Sequence, residues 1–223
     1  SGHYVDSIGS SSQIQCLPGS YNPNSGSITS SDCIVADIGH IVENPASSEQ
    51  SPCEAGYYQP ATGQIFCLEA LSGSYVSDIG ANAEEDCSPG NYQPERGQSE
   101  CLEADAGHYV DQSGQSSQTA CSAGTYQVTT GQDGCDNADA GYYVPTTGQS
   151  TQTACLAGTY NPSTGSTSSS ACGDADAGYY VPTTAQSSQT ACSAGTYQAL
   201  TGQSSCDDAD AGYFVNQTTQ TNQ

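Results

Sequence analysis

The residues of this chain with the most definite chemistry are its twelve cysteines: Cys16, Cys33, Cys53, Cys67, Cys87, Cys101, Cys121, Cys135, Cys155, Cys172, Cys192 and Cys206. No two lie nearer than 14 residues, so the close Cys-x-x-Cys or Cys/His spacing of a zinc site is absent. Twelve cysteines in so polar a chain point to disulfides, and hence to an extracellular or cell-surface protein in an oxidising compartment. Two pairings fit the spacing. One joins Cys16/Cys33, Cys53/Cys67, Cys87/Cys101, Cys121/Cys135, Cys155/Cys172 and Cys192/Cys206 at separations of 14 or 17 residues and leaves no thiol over. The other joins Cys33/Cys53, Cys67/Cys87 and their successors, always 20 apart, and strands Cys16 and Cys206 for links between subunits. In the first pairing, each closed loop stabilises a small module by about 3 kcal/mol in chain-entropy terms.

Carboxylates are the next candidates. The link from the second cysteine of a pair to the following glycine is often acidic, as in CLEADAG, CDNADAG, CGDADAG and CDDADAG. Asp174/Asp176 and Asp208/Asp210 place carboxylates two residues apart just before a glycine, an arrangement suited to calcium because hard oxygen ligands can converge on a tight turn. CLEALSG and CIVADIG lack the pair, and a closed cage needs further oxygens, so a solvated acidic junction is the plainer reading. Weak calcium bridging between molecules is the one metal chemistry left open. His3, His40 and His108 each follow a recurring glycine, at a surface strand position. No histidine recurs beside a particular serine, so nucleophilic hydrolysis has no anchor. With Arg96 the sole cation, phosphate handling and Schiff-base chemistry are also removed. No enzyme activity, catalytic residue or organic cofactor is expected. Asn216-Gln217-Thr218 is an N-glycosylation sequon, and Thr164 to Ser170 offers hydroxyls to O-linked glycans.

Arg96 stands against 24 carboxylates, for a net charge of -23. Nucleic acid is excluded as a partner, since neutralising phosphates takes several basic side chains on one face. Docking to an anionic membrane surface is disfavoured for the same reason. No apolar run approaches the ~20 residues that span a bilayer, and no secretion signal or anchor is read in the chain, so membrane insertion is not expected. Only 34% of the 223 residues are apolar, with no Met, no Trp and two Phe, so the core must be local and repeated.

The elements that position these residues form a repeat. Lead glycines stand at Gly2, Gly19, Gly39, Gly56, Gly73, Gly90, Gly107, Gly124, Gly141, Gly158, Gly178, Gly195 and Gly212, spaced by 17 except for two steps of 20. The longer steps place three-residue loop insertions near 24–31 and 163–170. Two residues after each lead glycine comes one large side chain: Tyr4, Tyr21, Ile41, Tyr58, Tyr75, Tyr92, Tyr109, Tyr126, Tyr143, Tyr160, Tyr180, Tyr197 and Phe214. This aromatic is expected to be the buried or half-buried key of each unit, covering the disulfide and the neighbouring turn. Tyr57, Tyr142, Tyr179 and Tyr213, one place earlier, are expected on the opposite, exposed face. A second glycine, preceded by Thr in Thr130-Gly131, Thr147-Gly148 and Thr201-Gly202, reads as a hairpin turn with positive φ. Ala46, Ala185 and Thr219 stand in for that glycine, which implies a different turn there. With no helical apolar period, the prediction is an all-β, small disulfide-rich fold. It is an elongated linear array of about thirteen 17-residue β-hairpin half-units, 34 residues to a full repeat, forming a single rod over 1–223.

The bracketed unit C-x-A-G-T-Y-x-x-x-T-G-x-x-x-C, clearest from Cys121 to Cys135 and from Cys192 to Cys206, resembles the ephrin-receptor-like cysteine-rich repeat, a short module found in tandem in extracellular proteins. Every second unit here keeps the Gly-x-Tyr skeleton but opens on Ala, as at Ala138 and Ala209, and so departs from the pattern. The resemblance implies an elongated extracellular array and carries no catalytic residues to transfer.

Both termini fall in the cysteine-free type of half-unit, and neither reads as a capping domain. The leading expectation is a secreted structural protein that self-associates end to end into a homopolymer, the subunit of a fibre, surface appendage or sheath. The alternative is the cysteine-rich stalk or ligand-binding region of a receptor or adhesin, which an irregular repeat with an exposed apolar patch would favour. GHIVENPASSEQSPC is the most divergent repeat. A regular ice-binding solenoid would need threonine in two flat columns, a pattern this chain lacks.

Overall fold

Positions are counted here from each lead glycine. In the half-unit of Gly124, Cys121 is position −3, Tyr126 is +2, Gln127 is +3, Gly131 is +7 and Cys135 is +11. The computed structural model describes residues 1–223 and contains short strands and two 3-10 turns, with no α-helix. Each strand is two residues long, and they pair antiparallel into twelve separate two-stranded sheets. Thr125 and Tyr126 face Asn137 and Asp136, and Tyr142 and Tyr143 face Ala154 and Thr153. The all-β, disulfide-rich hairpin array expected from the sequence is the fold observed. The half-unit of Gly212 forms no sheet.

The turns differ from the sequence reading. The two strands of the Gly124 hairpin are joined by the long connection 127–135, so Thr130-Gly131 bends that connection and does not close the hairpin. The tight turn sits instead at the lead glycine. Tyr142 N–H donates to Asp139 C=O at 3.0 Å across Ala140-Gly141, with Gly141 at φ 90°, the positive φ that the third residue of a type II turn demands. The extra residues of the two longer half-units wind into 3-10 turns, Ser30–Asp32 and Ser169–Ala171, directly ahead of Cys33 and Cys172. In the first, Asp32 closes the turn by accepting the Ile28 and Thr29 amides at 3.0 and 3.1 Å.

Contacts divide the chain into two units: Ser1–Glu103 with Gln112–Ser117, and Ala104–Asp111 with Gln118–Gln223. The same bonds recur inside each. In the first unit Gly56 N–H donates to Val76 C=O at 2.8 Å and Gln59 N–H to Ala81 C=O at 3.0 Å, tying one half-unit to the next. Gly63 N–H donates to Ala36 C=O at 2.8 Å. The second unit repeats the set with Gly124 to Val144, Gln127 to Gln149 and Gly148 to Cys121. Alternate half-units also touch. A Cβ added to Gly141 would lie 2.3 Å from the carbonyl oxygen of Ala185, two half-units on, so this lead position admits no side chain.

The core is a column of two positions. Position −3 holds Cys in one half-unit and Ala in the next and is buried in all but the last, where Ala209 is half-buried; Cys121 and Ala138 are both 0% exposed. Position +3 alternates in step. Cysteine-free half-units bury Val there, as at Val110, Val144 and Val181, whereas cysteine-bearing ones bury an amide, Asn22, Gln59, Gln93, Gln127, Asn161 or Gln198. No buried amide is left unpaired. Gln127 Nε2 donates to Gly134 C=O at 3.0 Å while its Oε1 accepts Thr129 N–H at 3.2 Å, bracing the connection from inside. Where the loop is longer the shorter Asn161 takes over, donating to Tyr142 C=O and Ser166 Oγ at 2.8 Å each. A polar core costs little when each group keeps its hydrogen bonds.

Ala46, Ala185 and Thr219 correct the expectation of a different turn. They have φ of 58°, 64° and 61°, in the same left-handed region as the glycines they replace, such as Gly148 at 72°. Their amides donate to Cys16, Cys155 and Cys192 C=O as Gly148 donates to Cys121 C=O. The stack therefore imposes this conformation whatever residue is present.

Candidate functional site

What recurs in this fold is a pair of fasteners, with grooves beside four of the disulfides. The first fastener is covalent. The cysteines form six disulfides, Cys16–Cys33, Cys53–Cys67, Cys87–Cys101, Cys121–Cys135, Cys155–Cys172 and Cys192–Cys206, each closing its own half-unit across a Cα separation of 5.6 to 5.8 Å. The sulfur at −3 is buried and its partner half-buried.

The second fastener was missed in the sequence. In the cysteine-free half-units, position +11 holds a Gln that grips position −2. Asp139 N–H donates to Gln152 Oε1 at 2.7 Å, and Gln152 Nε2 donates back to Asp139 Oδ2 at 2.6 Å. Gln50 with Asp37, Gln118 with Asp105, Gln189 with Asp176 and Gln223 with Asp210 make the same two-bond clasp. In the half-unit of Gly73, Glu84 stands in and accepts the Leu71 amide at 2.6 Å. Disulfide and clasp thus alternate along the chain at equivalent places. The signal was present in QSSQTAC, whose second Gln occupies the register of a bridging cysteine.

The calcium candidates are divided between two roles. Asp176 and Asp210 are engaged in clasps, whereas Asp174 and Asp208 lie on exposed strand positions opposite Thr159 and Thr196. No group of three or more His, Cys, Asp or Glu side chains is positioned to hold a metal ion. Asn216 is exposed, four residues after Gly212.

Tyr4, Tyr21, Tyr58, Tyr75, Tyr92, Tyr109, Tyr126, Tyr143, Tyr160, Tyr180 and Tyr197 are half-buried, and Phe214 is 78% exposed. Full burial belongs instead to the two core positions. Tyr57, Tyr142 and Tyr179, expected to be exposed, are half-buried, and of that set only Tyr213 lies open. The cause is the stacking of alternate half-units: a Cβ on Gly97, in the turn two half-units on, would sit 3.6 Å from Tyr57 Oη. His40 and His108 back on Gly80 and Gly148 in the same way and are half-buried rather than on an open surface. His3 and His40 pair Nδ1 with Ser1 and Ile38 carbonyls, whereas His108 Nδ1 is buried without a partner. Two phenols are perturbed. A hydrogen bond to Glu85, and then its charge, raises the pKa of Tyr75. Burial, reinforced by Asp139 and Asp136, raises that of Tyr126.

Beside four of the disulfides, the +2 side chain of the preceding cysteine-free half-unit lines a groove. Tyr4 meets Cys16 and Cys33, Tyr75 meets Cys101, and Tyr143 meets Cys155 and Cys172, around spaces of about 260, 280 and 170 Å³. At Ile41, beside Cys67, the corresponding space is about 430 Å³.

With this geometry in view, comparison with known proteins is specific over one stretch. Residues 45–87 match the family of tyrosine-protein kinase ephrin type A/B receptor-like sequences. The stretch takes in the disulfide Cys53–Cys67 and the cysteine-free half-unit after it, one full period of the ephrin-receptor-like repeat as it occurs here. It does not include Cys121–Cys135 or Cys192–Cys206, which carry the C-x-A-G-T-Y-x-x-x-T-G-x-x-x-C motif in full. The ephrin-receptor-like cysteine-rich repeat is a non-catalytic module. No curated protein matches the chain. No helix is long and apolar enough to cross a membrane.

Proposed function

We propose that this chain is a secreted structural protein, the subunit of an extracellular fibre, surface appendage or sheath that grows end to end. One observation carries the reading: within each of the two units, successive half-units bond through the same backbone donors and acceptors, as Gly56 does to Val76 and Gly124 to Val144. A repeat whose neighbours are interchangeable supplies the interface that another copy needs. The six disulfides suit an oxidising extracellular setting, and the near absence of Lys and Arg leaves trypsin-like proteases little to cut. Self-association makes the chain a homopolymer. Glycans on Asn216 or on the Ser/Thr-rich loops would thicken it, and calcium would act only as a bridge between acidic copies.

Electron microscopy of native material tests the proposal, the expected result being long polymers with a regular axial repeat. Isolated short particles, together with a chain that light scattering finds monomeric at high concentration across salt and calcium, would overturn it. Mass before and after deglycosylation reads the glycans independently. A second reading, a ligand-binding segment of a receptor or adhesin, is favoured by one local feature only, the enlarged groove at Ile41.

A further inference from the structure

Three departures from the repeat fall together around that groove. Position +2 carries Ile41 where eleven other half-units carry Tyr, so the ring that narrows the equivalent grooves is missing. The strand facing it ends in Pro52, paired with His40, where other cysteine-free half-units have Gln, Asp or Ala. Ile65 and Phe66 replace the polar or small pairs found at the same positions elsewhere, Ser99-Glu100, Asp133-Gly134 and Ser204-Ser205. All four residues line one space of about 430 Å³, floored also by Tyr57 and rimmed by Glu43 and Glu54. Ile65 is 45% and Phe66 57% exposed. Neither rim carboxylate is taken up by a hydrogen bond or ion pair within the chain, unlike Glu84 and Glu85, which are engaged.

We infer that this groove is a docking site for a cationic polypeptide segment that inserts an apolar side chain between Ile41 and Phe66 and sets flanking Lys or Arg against Glu43 and Glu54. Charge decides among the occupants. A second copy would bring a surface with one Arg to 24 carboxylates onto an acidic rim, whereas a basic segment is attracted there. The apolar floor supplies the affinity and the carboxylates supply register and encounter rate. The site goes beyond a structural role, since it marks one repeat out of the series.

The test titrates the whole oxidised chain with an acetylated, amidated hexapeptide of alternating lysine and leucine, followed by calorimetry and by the Tyr57 ring resonances. Parallel titrations use lysine–serine and glutamate–leucine hexapeptides. Saturable one-site binding of the lysine–leucine peptide alone is expected. Ile41→Tyr restores the residue of the other half-units and so carries little folding risk; it should weaken binding at least about tenfold, as should Phe66→Ser. Glu43→Gln with Glu54→Gln should weaken it and flatten its dependence on salt. Disulfide counts and far-ultraviolet spectra verify that each variant is folded. Equal binding by the lysine–serine peptide, or unchanged binding by Ile41→Tyr, would overturn the site in favour of diffuse attraction to an acidic surface. Absence of saturable binding would refute it directly. Loss of self-association in Phe66→Ser without any peptide would give the groove to a second copy. Polymers seen with or without a working groove leave the two proposals separately decidable.

Discussion

At the scale of single residues, the fold uses side chains for where they fit rather than for what they react with. The left-handed turn position shows this best, because Ala46, Ala185 and Thr219 occupy it without being glycine. An L-residue held there costs about 1–2 kcal/mol, while glycine costs roughly 0.4–1 kcal/mol in extra unfolded-state freedom. Ala185→Gly should therefore stabilise the chain by up to ~1 kcal/mol, read as a higher urea midpoint at unchanged slope, and Gly148→Ala should destabilise it by a similar amount. Perturbed phenols give a second residue-level prediction. Tyr126 is favoured neutral in the fold, so its contribution to stability is complete below the unfolded phenol pKa and is lost as pH rises through the higher folded value. Tyrosinate absorbance should show Tyr75 and Tyr126 ionising after the bulk of the tyrosines. Glu85→Gln should bring Tyr75 down to join them, because its hydrogen bond and its charge both come from that carboxylate.

At the scale of elements, two-residue strands cannot hold a hairpin alone, and the fasteners at −3, −2 and +11 make up the difference. Their equivalence predicts that the cysteine-free type can be converted. Ala138→Cys combined with Gln152→Cys should form a seventh disulfide, with no free thiol titrating in denaturant and a gain of up to ~3 kcal/mol. Gln152→Ala alone should lose about 1 kcal/mol, the net worth of exposed hydrogen bonds. This is also where the sequence was hardest to read. The period, the hairpin class and the resemblance were legible because Gly, Tyr and Cys are conspicuous at constant spacing. The core was not, because its two columns alternate in type. Ala138 beside Cys121, and Val144 beside Gln127, do not read as one apolar line. Tyr drew attention as the largest constant residue, yet its ring is only half-buried while alanine and glutamine go inside. The clasp was hidden because Gln152 sits among other polar residues and reveals its role only when its partner Asp139 comes to face it. The groove at Ile41 was half visible: the divergent repeat stood out, but its meeting with Ile65 and Phe66 needed the fold.

At the scale of the whole molecule, Arg96 gives a simple check on the fastening scheme. It is exposed at a turn inside the loop closed by Cys87–Cys101, and it is the one site for trypsin. Digestion should nick the chain after Arg96 alone, leaving one band without reductant and two fragments, 1–96 and 97–223, once the bridge is reduced. The placement of the bridges has a further consequence, for a chain under tension. Each closes within one half-unit, so a pull along the chain is opposed between half-units by hydrogen bonds and packing, never by a second covalent strand. Of the 34 residues from Cys121 to Cys155, the segment Cys121–Cys135 stays shut behind its bridge. The rest, roughly 20 residues, can pay out about 70 Å at ~3.4 Å each before the slack is used up. Half-units would then let go one after another under load, each yielding a limited length and keeping its looped reserve, so the chain behaves as a tether with built-in stops whose reach is set by the redox state of its surroundings.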